Sequence, residues 1–280
     1  MQKRPVALVT GASSGFGMLT SVALAEAGFT VIASMRDPDK REPLDKLAMT
    51  RNVAHHIEVM PMDVTSTQQI EQTVSSVIAR HHQIDLLVNN AGYACGGFVE
   101  EVTSEEWRNQ FDVNVFGVID VTRAVLPYMR ERKSGTIINL SSISGRFGFP
   151  GLAPYVASKH AIEGFSESLR LEMLPYPIHV VLIEPGSYRT SIWEKGMRQK
   201  TPFPHSPYAK QTKQMIAHVE TIIRQAPEPD EVVAVIVSAA MAAKPRLRYP
   251  VGRGIGLTLA AKRFLPWKWI EFIVKKKGAP

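Results

Sequence analysis

The sequence predicts an α/β protein: one doubly wound parallel sheet with helices on both faces. Three observations predict it. Short continuous apolar runs recur as far as Ile183, longer helical patterns separate them, and a glycine-rich turn follows the first run. Continuous Val/Ile/Leu runs suit strands buried on both faces, and the helices between them suit right-handed crossovers.

The elements follow in order. Val6-Ala7-Leu8-Val9 reads as a buried strand, followed by glycines and a helix through about Ala27. Thr30-Val31-Ile32-Ala33 is a second strand, Glu42 to Met49 a short helix, and Ile57 to Met62 a third strand. Thr67 to Arg80 is helical and Ile84 to Val88 is the fourth strand. Long helical patterns over Glu105 to Arg130 and Tyr155 to Leu174 flank the strand Thr136 to Leu140, and Ile178 to Ile183 is a further strand. Residues 187–228 break this rhythm with Pro202, Pro204 and Pro207. They are expected to form a substrate lid, with a plain surface excursion as the alternative.

A chain of 280 residues with 45% apolar and 21% charged side chains fits one soluble domain with a full core, here 1–280. A single cysteine, Cys95, excludes an intrachain disulfide and suits a reducing compartment. No secretory signal is read at Met1-Gln2-Lys3-Arg4-Pro5, and the apolar stretch Val232 to Ala243 is too short to span a bilayer, so the expectation is a cytoplasmic protein. The charge of +7 is unevenly placed. Residues 244–280 hold ten Lys or Arg against one acid, Glu271, whereas 1–243 hold 23 basic and 25 acidic residues. The body gives no footprint for nucleic acid.

Thr10-Gly11-Ala12-Ser13-Ser14-Gly15-Phe16-Gly17 lies between the first strand and the first helix. Glycines there allow a tight turn and close approach of a pyrophosphate to free N–H groups at the helix start, and Ser13 and Ser14 add hydroxyl donors. The second strand ends in Ser34-Met35-Arg36, with no acid before Asp37. A carboxylate there would repel a ribose 2′-phosphate, whereas Arg36 pairs with one, which favours NADP(H) over NAD(H) unless Asp37 neutralises it. Asp63 is placed to accept from an adenine amino group or to serve the start of the next helix. Asn89-Asn90-Ala91-Gly92 ends the fourth strand with small residues and amides able to tie strands together.

Tyr155 and Lys159 stand at i and i+4, one turn apart on a helix face. A nearby ammonium favours the phenolate, so a lowered Tyr155 pKa and an acid–base role are expected. Ser141-Ser142 follows a strand at the sheet's carboxyl edge, where Ser142 could donate to a substrate oxygen. Asn114 sits inside a helical run where Asn is a poor former, holding either a kink with a water or a local back-bond. Pro185-Gly186, with Thr190 shortly after, lines a nicotinamide or merely ends a strand.

Together these motifs resemble the short-chain dehydrogenase/reductase superfamily, over roughly residues 5–190. The resemblance implies a Rossmann-type fold, a Ser142–Tyr155–Lys159 triad with Asn114 as fourth member, and Lys159 on the nicotinamide ribose. It also implies a cofactor site that includes Gly11 to Gly17, Asn90, Ala91, Gly92, Arg123 and Pro185 to Thr190, with Tyr188 among them. Phe16 departs from the more usual Ile or Leu. Ala33-Ser34-Met35-Arg36-Asp37 and Arg248-Tyr249-Pro250-Val251-Gly252 look like the hydroxysteroid and retinol dehydrogenase branch, which implies a bulky apolar alcohol or ketone and a homo-oligomer (dimer or tetramer).

His55-His56 and His81-His82 lack a completing ligand set, and no metal is expected. Cys95 could touch substrate or be a packed apolar residue. Phe98, Phe147 and Phe149 offer apolar walls. The tail mixes Phe264, Leu265, Trp267, Trp269, Phe272 and Ile273 with Lys262, Arg263, Lys268 and Lys275-Lys276-Lys277. Packing on the body or on a partner subunit is preferred to peripheral membrane contact. The alternative to an enzyme is a non-catalytic dinucleotide sensor or membrane-surface scaffold, which the intact Tyr155–Lys159 pair argues against.

Overall fold

A computed structural model of the chain describes residues 4–190, 192 and 206–276. Seven strands form one sheet in the order β3-β2-β1-β4-β5-β6-β7, every pair parallel. They are β1 (Val6–Thr10), β2 (Thr30–Met35), β3 (Ile57–Pro61), β4 (Leu86–Asn89), β5 (Gly135–Leu140), β6 (Ile178–Pro185) and β7 (Arg248–Val251). The order reverses between β1 and β4, which opens a crevice at the carboxyl ends of those strands.

Strand periodicity of two decides which side chains meet which helices. Ala7 and Val9 join Val31, Ala33, Val88 and Ile138 on one face. There they pack on α1 (Gly15–Glu26), α2 (Glu42–Thr50) and α8 (Asp230–Met241) through Val22, Leu44 and Ile236. Val6, Leu8, Ile32 and Ile137 point to the other face, against α3 (Thr67–His81), α5 (Gly117–Arg132) and α6 (Ala153–Glu172) through Val74, Val125 and Leu169. The predicted doubly wound α/β domain is therefore the observed one.

Local chemistry accounts for the helix starts. Ser66 accepts from the Gln69 N–H to cap α3, and Thr103 with Glu106 makes a reciprocal capping box at α4 (Ser104–Phe111). The long helix expected over Glu105 to Arg130 is interrupted. Asp112–Phe116 is a π-helical turn between α4 and α5, with Asn114 at its centre. The helical run is thus irregular at Asn114, through a widened turn.

The elements after β6 escape the sequence reading. β7 carries Arg248 and Pro250 in only four residues, too short and too polar for a strand pattern; an edge position tolerates its proline. Within 187–228, residues 206–228 hold α7 (Ala209–Gln225), while residues 191 and 193–205 of the expected lid lie outside the described residues. The tail forms α9 (Ile255–Phe264) and α10 (Trp267–Lys276). No helix among the described residues is long and apolar enough to cross a membrane.

A buried amide network joins the central strands. The Asn89 Nδ2 donates to Asn139 Oδ1 at 2.9 Å and to Thr122 Oγ1 at 3.0 Å, and the Asn139 Nδ2 donates to Ser166 Oγ at 2.8 Å. Replacing Asn139 by Leu removes one acceptor from a fully buried amide. The variant should lose about 1–3 kcal/mol in chemical denaturation; an unchanged midpoint would mean that the network adds no net stability.

Candidate active site

The carboxyl edge of the sheet opens into a cleft of about 1620 Å³. A single drug-sized ligand occupies about 300–1,000 Å³, so this cleft has room for a dinucleotide and a second molecule. One end is the β1–α1 turn. Gly11 takes φ +67, and a Cβ there would approach the Ala91 Cα to 2.8 Å. The Asn90 side-chain amide donates to the Thr10 carbonyl at 2.8 Å and the Gly11 carbonyl at 3.1 Å, while Thr10 Oγ1 accepts from the Asn90 and Ala91 N–H groups.

Gly11, Ser13, Ser14, Gly15 and Phe16 line the cleft, with α1 starting at Gly15 and no acid in its first turn. Gly17 does not line it; any Cβ would strike the Asn90 amide, so its role is close packing. Arg36 is exposed on the wall of the cleft beside Lys40. Asp37 pairs with Lys40 at 2.8 Å, and this bond, with a weaker pull from Arg36, holds its carboxyl below the usual range. Asp63 also lines the cleft, and its Oδ1 accepts from the Thr65 N–H and hydroxyl just before α3. Asn90, Ala91, Gly92, Pro185, Gly186, Tyr188 and Thr190 complete this end. The Tyr188 ring meets Phe16 edge-on, and its hydroxyl donates to Glu231.

At the other end, Ser142, Tyr155 and Lys159 converge on the same cleft, each under a tenth exposed. β5 ends just before Ser142, and α6 sets Tyr155 and Lys159 on its inner face. Ser142 Oγ accepts from the Ser144 N–H at 3.1 Å. The Lys159 Nζ donates to the Leu140 carbonyl at 2.7 Å and stands 5.7 Å from the centre of the Tyr155 ring. The lowered phenol expected from the sequence is not what this geometry produces. Burial pushes Tyr155 up to about 12, a hydrogen bond from Ser142 opposing it in part. Burial likewise brings Lys159 down to about 8, against the pull of Glu163.

Two expected residues stand elsewhere. Arg123 does not reach the cleft: it is 76% exposed and pairs with Asp120, because Val121, Thr122 and Val125 take the inward positions of α5. Asn114 lies behind the wall, its Nδ2 donating to the Tyr93 carbonyl and Ser158 Oγ and its Oδ1 accepting from the Tyr93 N–H. Cys95 is buried away from the cleft, and Phe98 stacks on Tyr208 instead of lining it. Phe147 and Phe149 do line it. The sequence reading missed Met215 and Val219 of α7 and Ile270 of α10, which reach the cleft from helices distant in the chain.

Behind Lys159 lies a partly buried charge cluster that sequence reasoning missed. Glu163 accepts from Ser141 Oγ at 2.5 Å, and Arg248 of β7 meets Glu163 at 3.1 Å, Glu184 at 3.1 Å and Glu167 at 2.6 Å. Arg146 also meets Glu184, at 3.2 Å.

The short chain dehydrogenase family model matches residues 5–201. The chain belongs to that family and is an oxidoreductase of it. It is 48% identical over 277 residues to the uncharacterized oxidoreductase YusZ of Bacillus subtilis, covering 98% of each chain. It is 34% identical over 271 residues to 3-ketodihydrosphingosine reductase of Bacteroides thetaiotaomicron, covering 96% of each. Among solved structures, a variant of actinorhodin polyketide ketoreductase with NADPH superposes with a TM-score of 0.76 at 31% identity, over 91% of this chain and 98% of that one. Other structures of this fold hold NAD or NADP.

Burial lifts the Glu163 carboxyl to about 7 from 4.5. Between those values the native chain keeps a proton that the unfolded chain has lost. Stability from this group is thus full below 4.5 and is lost as pH rises through about 7. In Glu163→Gln, melting temperatures followed across this range should fall less steeply with pH than in the parent; parallel curves would refute the raised pKa.

Proposed function

We propose that the chain is an NADP(H)-dependent oxidoreductase that interconverts a bulky apolar alcohol and its ketone or aldehyde. The observation that carries this reading is the single cleft that holds the glycine turn and Arg36 at one end and Ser142, Tyr155 and Lys159 at the other. A reduced nicotinamide bound there supplies the hydride.

The donor set suits a dinucleotide phosphate. The start of α1, with Ser13 and Ser14, offers N–H and hydroxyl donors to a pyrophosphate, and no acid in that first turn opposes the charge. Arg36 and Lys40 offer cations to a 2′-phosphate, and Asp37 makes its ion pair with Lys40. Asp63 accepts from the adenine amino group, and Pro185 to Thr190 borders the nicotinamide. The solved ketoreductase similar to this chain holds NADPH.

The chemistry belongs to the buried trio. A phenol near 12 is fully protonated at neutral pH, so Tyr155 can give its proton to a carbonyl oxygen as that oxygen gains charge. Ser142 donates to the same oxygen and steadies it. Lys159, one N–H of which is engaged by Leu140, has two more for ribose hydroxyls, and its positive charge near the ring favours the phenolate left after transfer. Asn114 acts at one remove, holding the Tyr93 backbone and Ser158 behind the trio. The substrate side is apolar, with Phe147, Phe149, Leu152, Met215 and Val219. The Bacteroides relative is named as a reductase of a keto compound, which agrees with a ketone here.

Titration with NADPH and NADH, followed by a panel of apolar ketones and aldehydes, tests the reading directly. Tight NADPH binding with consumption by a ketone supports it; binding of neither nucleotide overturns it. Tyr155→Phe should lower turnover by about 100- to 10,000-fold with NADPH binding little changed, and retained turnover would exclude Tyr155 as the acid. Arg36→Asp should move cofactor preference toward NADH, and an unchanged preference would remove Arg36 from the phosphate site.

A further inference from the structure

The tail presents an apolar surface that the body does not cover. Leu257, Phe264, Leu265, Trp267, Trp269 and Phe272 are 38–81% exposed, and they fall within sixteen consecutive residues. Among the described residues they make up nearly half of all exposed large apolar side chains. Of the described side chains of α10, only Ile270 is not exposed, and it lines the cleft. The tail is nonetheless anchored. Lys262 bonds the Arg146 carbonyl and sits over the Phe147 ring, and Ile255 packs where a side chain at Gly186 or Gly252 would stand. The tail thus touches the chain's own body through Lys262, Ile255 and Ile270, and not through its exposed aromatic rings.

We infer that α9 and α10 form a docking surface for an anionic lipid bilayer, lying in its interface beside the mouth of the cleft. Two tryptophans and a phenylalanine next to Lys268 and Lys275 are the composition of a helix that rests at headgroup depth, rings inserted and ammonium groups at the phosphates. A contiguous exposed apolar surface of this kind marks an interaction site. Its charge selects the occupant. α9 and α10 carry Lys262, Arg263, Lys268, Lys275 and Lys276 against one acid, Glu271, so their field attracts an anionic surface. A twofold contact between two copies through this face would instead set one such tail against another, with Glu271 as the only acid on each side. Neither helix is long enough to cross the bilayer, so the contact is peripheral.

Sedimentation of the full chain with vesicles of phosphatidylcholine, alone or mixed with phosphatidylglycerol, tests this without any use of catalysis. Its outcome is thus independent of the proposed reaction. The chain should partition onto the anionic vesicles and poorly onto the neutral ones. The bound fraction should drop when salt rises from about 0.05 to about 0.5 M. Combined Phe264→Ser, Trp267→Ser and Trp269→Ser should reduce partitioning by about tenfold, and so should Lys268→Glu with Lys275→Glu, a pair of exposed sites that leaves the apolar groups in place. No binding to anionic vesicles at low salt overturns the inference. So does undiminished binding by both variants, or a dimer in sedimentation velocity that the serine variant splits while the parent ignores vesicles.

Discussion

Where β1 and β4 part, the backbone of each strand end needs partners that the ladder no longer supplies, and the cleft depends on how that need is met. Thr10 and Asn90 meet it reciprocally: the hydroxyl accepts two N–H groups of the β4 end, and the amide donates to two carbonyls of the β1 end. Buried backbone groups left unpaired there would cost about 1–3 kcal/mol each. The clamp also fixes distance. Gly11 and Gly17 are glycines because Ala91 and Asn90 lie where their Cβ atoms would be. The same bonds that close the crevice floor therefore hold the turn against the start of α1, where N–H donors face the cleft.

A second constraint operates on the far side, where ionisable groups are buried together. Tyr155 and Lys159 are each pushed toward neutrality by burial, which costs folding free energy but keeps a proton on the phenol and a weakened ammonium beside it. Glu163 stands one turn beyond Lys159, and its residual charge works against the loss of the lysine's charge. Arg248 and Arg146 in turn offset Glu163 and Glu184. Removing one member of such a cluster leaves an uncompensated buried charge, so the parts are coupled.

The sequence made the sheet legible because parallel strands buried on both faces leave unbroken apolar runs, and because Tyr155 and Lys159 share a helix turn. It also exposed Arg36, since the absence of an acid before Asp37 can be read without coordinates. What escaped was set by distant partners. β7 forms only because β6 offers an edge; Arg248 reads as one more basic residue until Glu163, Glu167 and Glu184 are brought around it. Arg123 was misplaced because motif spacing gives no helical phase, whereas the burial of Val121, Thr122 and Val125 does. The phenol's pKa was misjudged for a similar reason: spacing places an ammonium one turn away but does not show how completely the fold buries the phenol.

These distant partners also explain why the C-terminal third belongs to the site. β7 carries Arg248 into the acid cluster behind Lys159. Immediately after it, Gly252 turns the chain so that Ile255 fills the space beside Gly186, a cleft residue. From that anchor α9 reaches the Arg146–Phe149 loop through Lys262, and α10 brings Ile270 to the cleft. One edge strand thus connects the electrostatics around Lys159 to the shape of the cleft mouth. A change in how α9 lies would therefore be felt at two places, at Phe147 through Lys262 and at Gly186 through Ile255.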